Sequence, residues 1–170
     1  GGCLADDMGL GKTLQAISVL TKVYATGEER PSIVVCPRSL LQNWKKECEK
    51  FAPQLNVHIY YGAQRDWEEA LKSQVIVMTY AIMRNDIKRI REQQLCYAVL
   101  DESQNIKNMA TQTTRAALLL KADHRLALSG TPIENNLGEL YALFRFLNPG
   151  MFGSPSQFVG NYANPIQREN

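Results

Sequence analysis

The stretch GGCLADDMGLGKT, residues 1–13, decides the fold. Its glycines let backbone N–H groups approach phosphate oxygens, Lys12 can bring a positive charge to the β- and γ-phosphates, and Thr13 can offer a hydroxyl to Mg²⁺. A phosphate-binding loop needs a strand before it and a helix after it. Residues 2–5 are the only candidates for that strand, and we expect the helix to begin near Thr13.

The loop departs from the pattern GxxxxGK[ST] at one position, because the first glycine of the pattern falls at Asp6. A glycine-containing turn with an incidental Lys-Thr pair is therefore the alternative interpretation. The loop also stands at the very start of the chain, where a natural protein rarely begins. We therefore expect the chain to be a fragment cut just before its first motif.

Short, nearly continuous apolar runs recur along the rest of the chain, at residues 32–36, 56–61, 75–79, 96–100 and 124–128. Strands that are covered on both faces have this composition. Helical stripes lie between and after them: Leu14, Ile17, Leu20, Tyr24; Leu40, Leu41, Trp44, Cys48, Phe51; Leu137, Leu140, Tyr141, Phe144, Leu147. This alternation predicts an α/β domain with a mostly parallel sheet and helices on both faces.

A polar cluster follows most of these predicted strands. In chain order the clusters are DDMGLGKT, CPRSLLQNW, TYAIM, DESQ and SGTP. Right-handed crossovers bring the carboxyl ends of parallel strands to one edge of a sheet. We therefore expect the clusters to converge on a single site.

Two adjacent acids, Asp101 and Glu102, end the run at 96–100. Asp101 can hold Mg²⁺ through water, and Glu102 can orient and deprotonate an attacking water. Neighbouring side chains alternate as a strand ends, so the two acids can serve these different tasks. A solvated Asp-Glu turn is the alternative, which the phosphate loop upstream disfavours.

The cluster SGTP has no enzymatic chemistry of its own. Ser129 and Thr131 can hydrogen-bond to the acidic loop and pass on the state of a nucleotide, or they can form a plain turn that caps a strand. Trp44 lies on the apolar face of its predicted helix, so we expect it to pack in the core rather than stack on a base. Lys45, Lys46 and Lys50 face the other side, as a solvated surface or as a contribution to nucleic-acid binding.

The bulk properties suit one globular domain. The chain has 170 residues, 45% hydrophobic and 21% charged, which is ordinary for such a domain. Its net charge of +2 permits nucleic-acid binding without arguing for it. No apolar run reaches the ~18–20 residues that span a bilayer, so we expect no membrane partner. Four cysteines without metal spacing predict reduced, buried thiols in an intracellular protein.

The tail NPGMFGSPSQF is rich in Pro, Gly and Ser, which predicts an exit from the compact domain. We therefore place the domain at residues 1–150 and an exit segment at residues 151–170.

In order and spacing, the segments LADDMGLGKTLQAI, VVCPRSLLQNWKKECEKFAP, VMTYAIMRND, LDESQNIKN and LALSGTPIENNLGELYALFRFLNPGMFGS resemble motifs I, Ia, Ib, II and III of the Swi/Snf-type DNA translocases of helicase superfamily two. The resemblance runs over nearly the whole chain. The segment NNLGELYALFRFLNPGMFG is specific to this family within the superfamily. Asp6 fits the family's own form of the phosphate loop.

The resemblance implies a three-layer RecA-like P-loop domain, the N-terminal ATP-binding lobe of a double-stranded-DNA-dependent ATPase. Its cofactors are then ATP and Mg²⁺, with Thr13 and Asp101 as metal ligands and Lys12, Asp101 and Glu102 as catalytic residues. The nucleotide-binding residues are Asp7, Met8, Gly9, Leu10, Gly11, Lys12, Thr13 and Leu14. Coupling of nucleotide to DNA falls to Gln104, Ser129 and Thr131, and contacts with one DNA backbone fall to Pro37, Arg38, Ser39, Thr79 and Tyr80.

The family also implies a second RecA-like lobe in the same chain, which supplies arginines to the site, so we expect the fragment alone to be nearly inactive. Protein partners are possible, and both a bacterial cytoplasm or nucleoid and a eukaryotic nucleus are compatible with the sequence. Gln104 departs from the family's Asp-Glu-x-His box. Two other functions stay open: a nucleotide-sensing scaffold with weak hydrolysis, and an RNA helicase of the same superfamily.

Overall fold

The computed structural model describes residues 1–5, 10–130 and 137–150. The strands are β1 (Gly2–Ala5), β2 (Ser32–Cys36), β3 (Val57–Ile59), β4 (Val75–Thr79), β5 (Gln94–Leu100) and β6 (Lys121–Ser129). The helices are α1 (Leu10–Ala25), α2 (Leu41–Phe51), α3 (Trp67–Ala70), α4 (Tyr80–Asn85), α5 (Ile87–Ile90), α6 (Gln112–Leu119) and α7 (Leu137–Leu147). Two 3₁₀ turns, Arg38–Leu40 and Ser103–Asn105, follow β2 and β5.

The six strands form one sheet in the order β1-β6-β5-β2-β4-β3, and every pairing is parallel. The predicted fold class is therefore confirmed. Strands β2 and β4 coincide with the predicted runs, and all five side chains in each strand are buried. Strands β5 and β6 begin earlier than predicted, because their exposed polar ends, Gln94 and Lys121, also pair with each other.

Helices cover both faces of the sheet. On one face, α1 and α2 pack on β2, β4 and β5 through a cluster that contains Ile17, Leu20 and Trp44. On the other face, α3 to α7 contribute to a larger cluster that contains Met83, Ile90 and Phe146. Burial of apolar surface, at about 25 cal/mol per Å², therefore holds the sheet from both sides, as the continuous apolar strands predicted.

Several details of the helices differ from the sequence prediction. Helix α1 begins at Leu10 rather than near Thr13, so Lys12 already lies in its first turn. Phe51 ends α2 with 49% of its surface exposed, so it does not continue the buried stripe that the sequence predicted. In α7 the best-buried large side chains include Leu143 and Phe146, which the predicted stripe omitted. Leu137, Leu140 and Phe144 are only half-buried.

The thiols of Cys36, Cys48 and Cys96 are buried and free, as predicted, whereas Cys3 is exposed because β1 lies at the edge of the sheet. Burial raises the pKa of the Cys36 thiol to about 12, which keeps it protonated at neutral pH. Within the described part of the chain, no helix is long and apolar enough to cross a membrane.

Candidate functional site

The strands that carry the phosphate loop, the acids and the SGTP cluster are neighbours in the sheet, because β6 lies between β1 and β5. Their carboxyl ends, Ala5, Leu100 and Ser129, lie at one edge. The parallel order therefore brings together three clusters, of which the first and the last, represented by Lys12 and Ser129, are 117 positions apart in sequence. Asp7, Met8, Gly9 and Thr131 lie outside the described residues.

Lys12 is held at this edge by the fold. It lies in the first turn of α1, is only 5% exposed, and its Nζ donates to the backbone carbonyl of Ser129 at 3.1 Å. Thr13 and Leu14 follow in the same turn and are half-buried. Gly11 is exposed on the first turn, where a backbone N–H can face an anion. The lysine, the hydroxyl and the helix N-terminus are thus arranged as a phosphate site requires.

Asp101 is fixed on all sides. Its backbone N–H donates to the carbonyl of Val35 at 2.7 Å, and the hydroxyl of Tyr80 donates to its carbonyl at 2.6 Å. Its carboxylate accepts from the backbone N–H of Glu102 at Oδ1, 2.9 Å, and from Nε1 of Trp44 at Oδ2, 2.8 Å. Each carboxylate oxygen therefore accepts one bond in a defined direction and retains lone-pair capacity for a further partner.

Burial raises the pKa of Asp101, because a charge is costly to remove from water. The hydrogen bonds from Trp44 and from the N–H of Glu102 oppose that rise, since both stabilise the ionised form. Attraction to the Lys12 ammonium also opposes the rise, and the two direct donors are neutral, so the carboxylate can accept a further cation as a partner.

Glu102 occupies a backbone conformation that side chains rarely adopt. Its φ and ψ are 51° and 56°, and it has the only positive φ outside glycine among the described residues. Such a conformation costs on the order of 1–3 kcal/mol. It is held by Asn105, whose backbone N–H and Nδ2 both donate to the carbonyl of Glu102, at 3.1 and 2.8 Å. The strained residue is one of the two predicted hydrolytic acids.

Gln104 connects the acids to the end of β6. Its Nε2 donates to Oε2 of Glu102 at 2.5 Å, and its Oε1 accepts from the hydroxyl of Ser129 at 3.1 Å. The amide thus uses its donor toward one motif and its acceptor toward the other, which a neutral histidine could also do. This arrangement brings Gln104 and Ser129 together as the sequence predicted.

The residues predicted to contact DNA divide into two groups. Arg38 and Ser39 are exposed after β2, next to a half-buried Pro37. Thr79 and Tyr80 have 6% and 7% of their surface exposed, and both side chains are engaged. The hydroxyl of Thr79 caps α4 by accepting from the N–H of Ile82, and that of Tyr80 bonds to Asp101. Both side chains are therefore used within the protein, and the expected contact of Thr79 and Tyr80 with a DNA backbone stays a prediction.

Sequence reasoning missed two contacts of the site. Trp44 packs in the core as predicted, with no exposed surface, but it also donates to Asp101. A buried indole N–H needs an acceptor, and this requirement was the available signal. Tyr61, 39% exposed at the end of β3, lies under the guanidinium of Arg38 at 5.5 Å from the ring centroid. No pattern in the sequence indicated that pair.

The donor set at this edge fits Mg²⁺ that is brought in with a nucleotide. Across residues 1–5, 10–130 and 137–150, no group of three or more His, Cys, Asp or Glu side chains could hold a metal ion by itself. Mg²⁺ is commonly bound through one or two carboxylates together with substrate phosphates. The buried carboxylate of Asp101 and the hydroxyl of Thr13 are donors of that kind.

A parallel sheet with a lysine in the first turn of a helix and an Asp-Glu pair at a neighbouring strand end defines the class. The chain is a RecA-like P-loop domain.

The comparisons with known proteins give the family. The SNF2-related domain matches residues 1–170, so the chain belongs to this family of Swi2/Snf2-type helicase-like ATPases. YwqA of Bacillus subtilis, named as an ATP-dependent helicase/translocase, is 41% identical over 175 residues, which cover 99% of this chain and 19% of YwqA. The TATA-binding protein-associated factor mot1 of Schizosaccharomyces pombe is 39% identical over 181 residues, covering 97% of this chain and 9% of mot1.

A solved structure agrees. The Sulfolobus solfataricus SWI2/SNF2 ATPase core in complex with double-stranded DNA superposes with a TM-score of 0.89 at 44% identity, covering 99% of this chain and 36% of that one. The resemblance stated from the motifs is confirmed. The chain spans about a fifth or less of the length of these curated relatives.

Proposed function

We propose that the chain is the ATP-binding and hydrolysing N-terminal lobe of a motor that moves along double-stranded DNA. The observation that supports it most is the connected set Lys12, Ser129, Gln104 and Glu102, which joins a phosphate site to a hydrolytic acid across three strands. A binding-only scaffold has no use for a strained, oriented Glu102. Residues 1–150 form this lobe, and residues 151–170 lead toward a second lobe.

Each residue has a task in hydrolysis. Lys12 and the N–H groups of the first turn of α1 bind the β- and γ-phosphates, with the loop residues Asp7 to Gly9 before them. Thr13 and Asp101 would hold Mg²⁺, which would supply positive charge to stabilise the transferring phosphoryl group. Glu102 accepts the proton of the attacking water, a contribution of typically 10²–10⁴-fold. Gln104 keeps the carboxylate of Glu102 in place, and Ser129 and Thr131 relay the nucleotide state.

The DNA contact lies at the same edge, beyond β2 and β4. Arg38 and Ser39 are exposed there, and Pro37, Thr79 and Tyr80 lie at the same strand ends. Contacts of these residues with the phosphates and not with the bases would hold DNA without reading its sequence. The Sulfolobus relative that binds duplex DNA supports this assignment. Protein partners, and a location in a bacterial cytoplasm or a eukaryotic nucleus, are compatible with the relatives named above.

The test uses a protein that contains both lobes. Lys12→Ala should abolish ATP hydrolysis that is stimulated by duplex DNA, and undiminished turnover would overturn the proposal. Glu102→Gln should retain nucleotide binding and lose hydrolysis. Stimulation by RNA equal to that by duplex DNA would instead identify an RNA helicase. Residues 1–170 alone should hydrolyse ATP about 10³–10⁵-fold more slowly than the two-lobed protein, because the arginines of the second lobe are missing.

A further inference from the structure

Trp44 makes a bond that core packing does not require. It lies in the first turns of α2, in the apolar cluster with Ile17 and Leu20, and its surface is completely buried. Its Nε1 crosses from this cluster to Oδ2 of Asp101, 57 positions away in sequence, at 2.8 Å. An indole N–H is satisfied equally well by a backbone carbonyl. Here its acceptor is the carboxylate that the proposed function assigns to the metal.

The bond determines how the carboxylate is turned. The terminal torsion of an aspartate side chain is broad, so its plane is set by its partners. Only two N–H groups of the described residues donate to this carboxylate, one from Glu102 and one from Trp44. Because each oxygen has one donor, the remaining lone pairs are aimed in fixed directions. The Glu102 donor belongs to the adjacent peptide, and Trp44 is the one that comes from elsewhere in the fold.

Helix α2 also connects this bond to the segment at residues 37–39, in which Arg38 and Ser39 are exposed. The 3₁₀ turn Arg38–Leu40 runs directly into α2, which begins at Leu41. A helix moves as a unit over its first turn, since each residue is tied to the fourth one along. A displacement of the Arg38 segment therefore reaches the carboxylate of Asp101 through a single rigid element and one hydrogen bond.

We propose that Trp44 is a positioning residue that orients the Asp101 carboxylate for Mg²⁺ and links that orientation to the segment at residues 37–39. The inference rests on the proposed function. The role of Trp44 differs from that of the Gln104–Ser129 connection, because Trp44 bonds to Asp101, the proposed metal ligand, whereas Gln104 bonds to Glu102, the proposed base.

The test separates metal-dependent from metal-independent binding. In the two-lobed protein, the affinity for a fluorescent ADP analogue is measured in Mg²⁺ and in EDTA, with and without duplex DNA. We expect Trp44→Phe to reduce the gain in affinity that Mg²⁺ provides by about tenfold, the lower range for partners that orient a metal ligand. Affinity in EDTA should stay within about twofold of the wild-type value. The Mg²⁺ concentration for half-maximal hydrolysis should rise, and excess Mg²⁺ should restore most of the rate.

Trp67→Phe is the matched control, because Trp67 is the other buried tryptophan and lies in α3, in the core cluster on the opposite face of the sheet from Trp44. If Trp44→Phe unfolds the protein, a 3-benzothienylalanine at position 44 keeps the ring shape and removes only the N–H. The inference would be overturned if Mg²⁺ raised the ADP affinity of Trp44→Phe and Trp67→Phe by the same factor. It would also be overturned if Trp44→Phe lost ADP affinity equally in Mg²⁺ and in EDTA, since Trp44 would then act through packing alone. If Mg²⁺ did not raise the ADP affinity of the wild-type protein, both the metal site of the proposed function and this inference would be overturned.

Discussion

Asp101 and Asp86 both accept a hydrogen bond from an aromatic side chain, yet their pKa values shift in opposite directions. Asp101 accepts from Trp44 and from a backbone N–H, and burial raises its pKa. Asp86 accepts from the hydroxyl of Tyr60 at 2.5 Å and from Nε and Nη2 of Arg65 at 2.8 and 3.1 Å. The Arg65 guanidinium holds the pKa of Asp86 below its usual range.

The difference separates a carboxylate used for structure from one available for binding. Both oxygens of Asp86 meet a cation in a two-pronged pair, the arrangement that stabilises a carboxylate best. This pair ties the loop after β3 to the junction of α4 and α5. The donors to Asp101 are neutral, so its charge is less fully compensated by its own hydrogen bonds. We infer that Asp86 is neutralised within the fold by Arg65, whereas Asp101 remains available to bind a cation that arrives with substrate.

The largest expected effect follows from neutralising each acid in turn. Asp101→Asn should lower hydrolysis per folded molecule by on the order of 10³-fold, because the metal ligand is lost. Its stability should stay within about 1 kcal/mol of the wild type, since a buried charge disappears together with one hydrogen bond. Asp86→Asn should do the reverse, costing about 2 kcal/mol of unfolding free energy and sparing hydrolysis.

ATPase assays and urea unfolding on the same preparations of the two-lobed protein check both variants. If Asp86→Asn lowers hydrolysis per folded molecule as much as Asp101→Asn does, the distinction between a structural Asp86 and a binding Asp101 is wrong.

The second prediction concerns the connection between the acids and β6. Gln104→Ala removes both the bond to Glu102 and the bond from Ser129, so stimulation of hydrolysis by duplex DNA should fall about tenfold. Affinity for a fluorescent ADP analogue should change less than about twofold, because Gln104 is not part of the phosphate site. Gln104→His should also change DNA stimulation more than nucleotide binding, since an imidazole can replace both bonds but, unlike an amide, can become charged near neutral pH. If neither quantity moves in either variant, Gln104 is a neutral variation.

Most of the fold could be predicted from the sequence, because buried parallel strands are recorded as continuous apolar runs. The runs at 32–36 and 75–79 match β2 and β4 residue for residue. The amino ends of β5 and β6 could not be found this way, since Gln94 and Lys121 pair in the sheet while facing solvent. Apolar content reports burial, and these residues are paired without being buried.

The site was predictable where motifs lie directly at strand ends, as for Asp101, Glu102 and Ser129. It was not predictable where a side chain reaches the site through the core. Trp44 was expected to pack in the core and Tyr80 to lie along a DNA backbone, whereas both donate to Asp101. The sequence shows that such an aromatic side chain is buried, but only the structure shows which acceptor its N–H or O–H group bonds to.

The third prediction uses the backbone of Glu102, which has no counterpart at Asp86, where φ is −104°. Glycine adopts a positive φ without strain, whereas alanine does not. Glu102→Gly should therefore be more stable than Glu102→Ala by about 1 kcal/mol, although glycine normally destabilises a fold relative to alanine. Thermal or urea unfolding of the two variants measures the difference, and both should be inactive in hydrolysis. A more stable alanine variant would show that Glu102 does not hold this conformation in solution.

The smallest expected effect is a pair of opposite pH dependences. The pKa of Asp86 is lowered by Arg65, so its pair stabilises the protein above the unfolded value of about 3.9 and is lost as pH falls below it. The stability advantage of the wild type over Arg65→Met should thus be about 1 kcal/mol at pH 6 and shrink below pH ~4.

The opposite dependence is expected for Asp101. Burial raises the pKa of Asp101, so ionisation of this carboxyl destabilises the fold as pH rises through its folded-state pKa. Wild-type stability relative to Asp101→Asn should accordingly fall as pH rises above the unfolded value of about 3.9. Urea titrations across this range measure both differences, and slopes of the same sign would mean that the two acids are equally compensated by the fold.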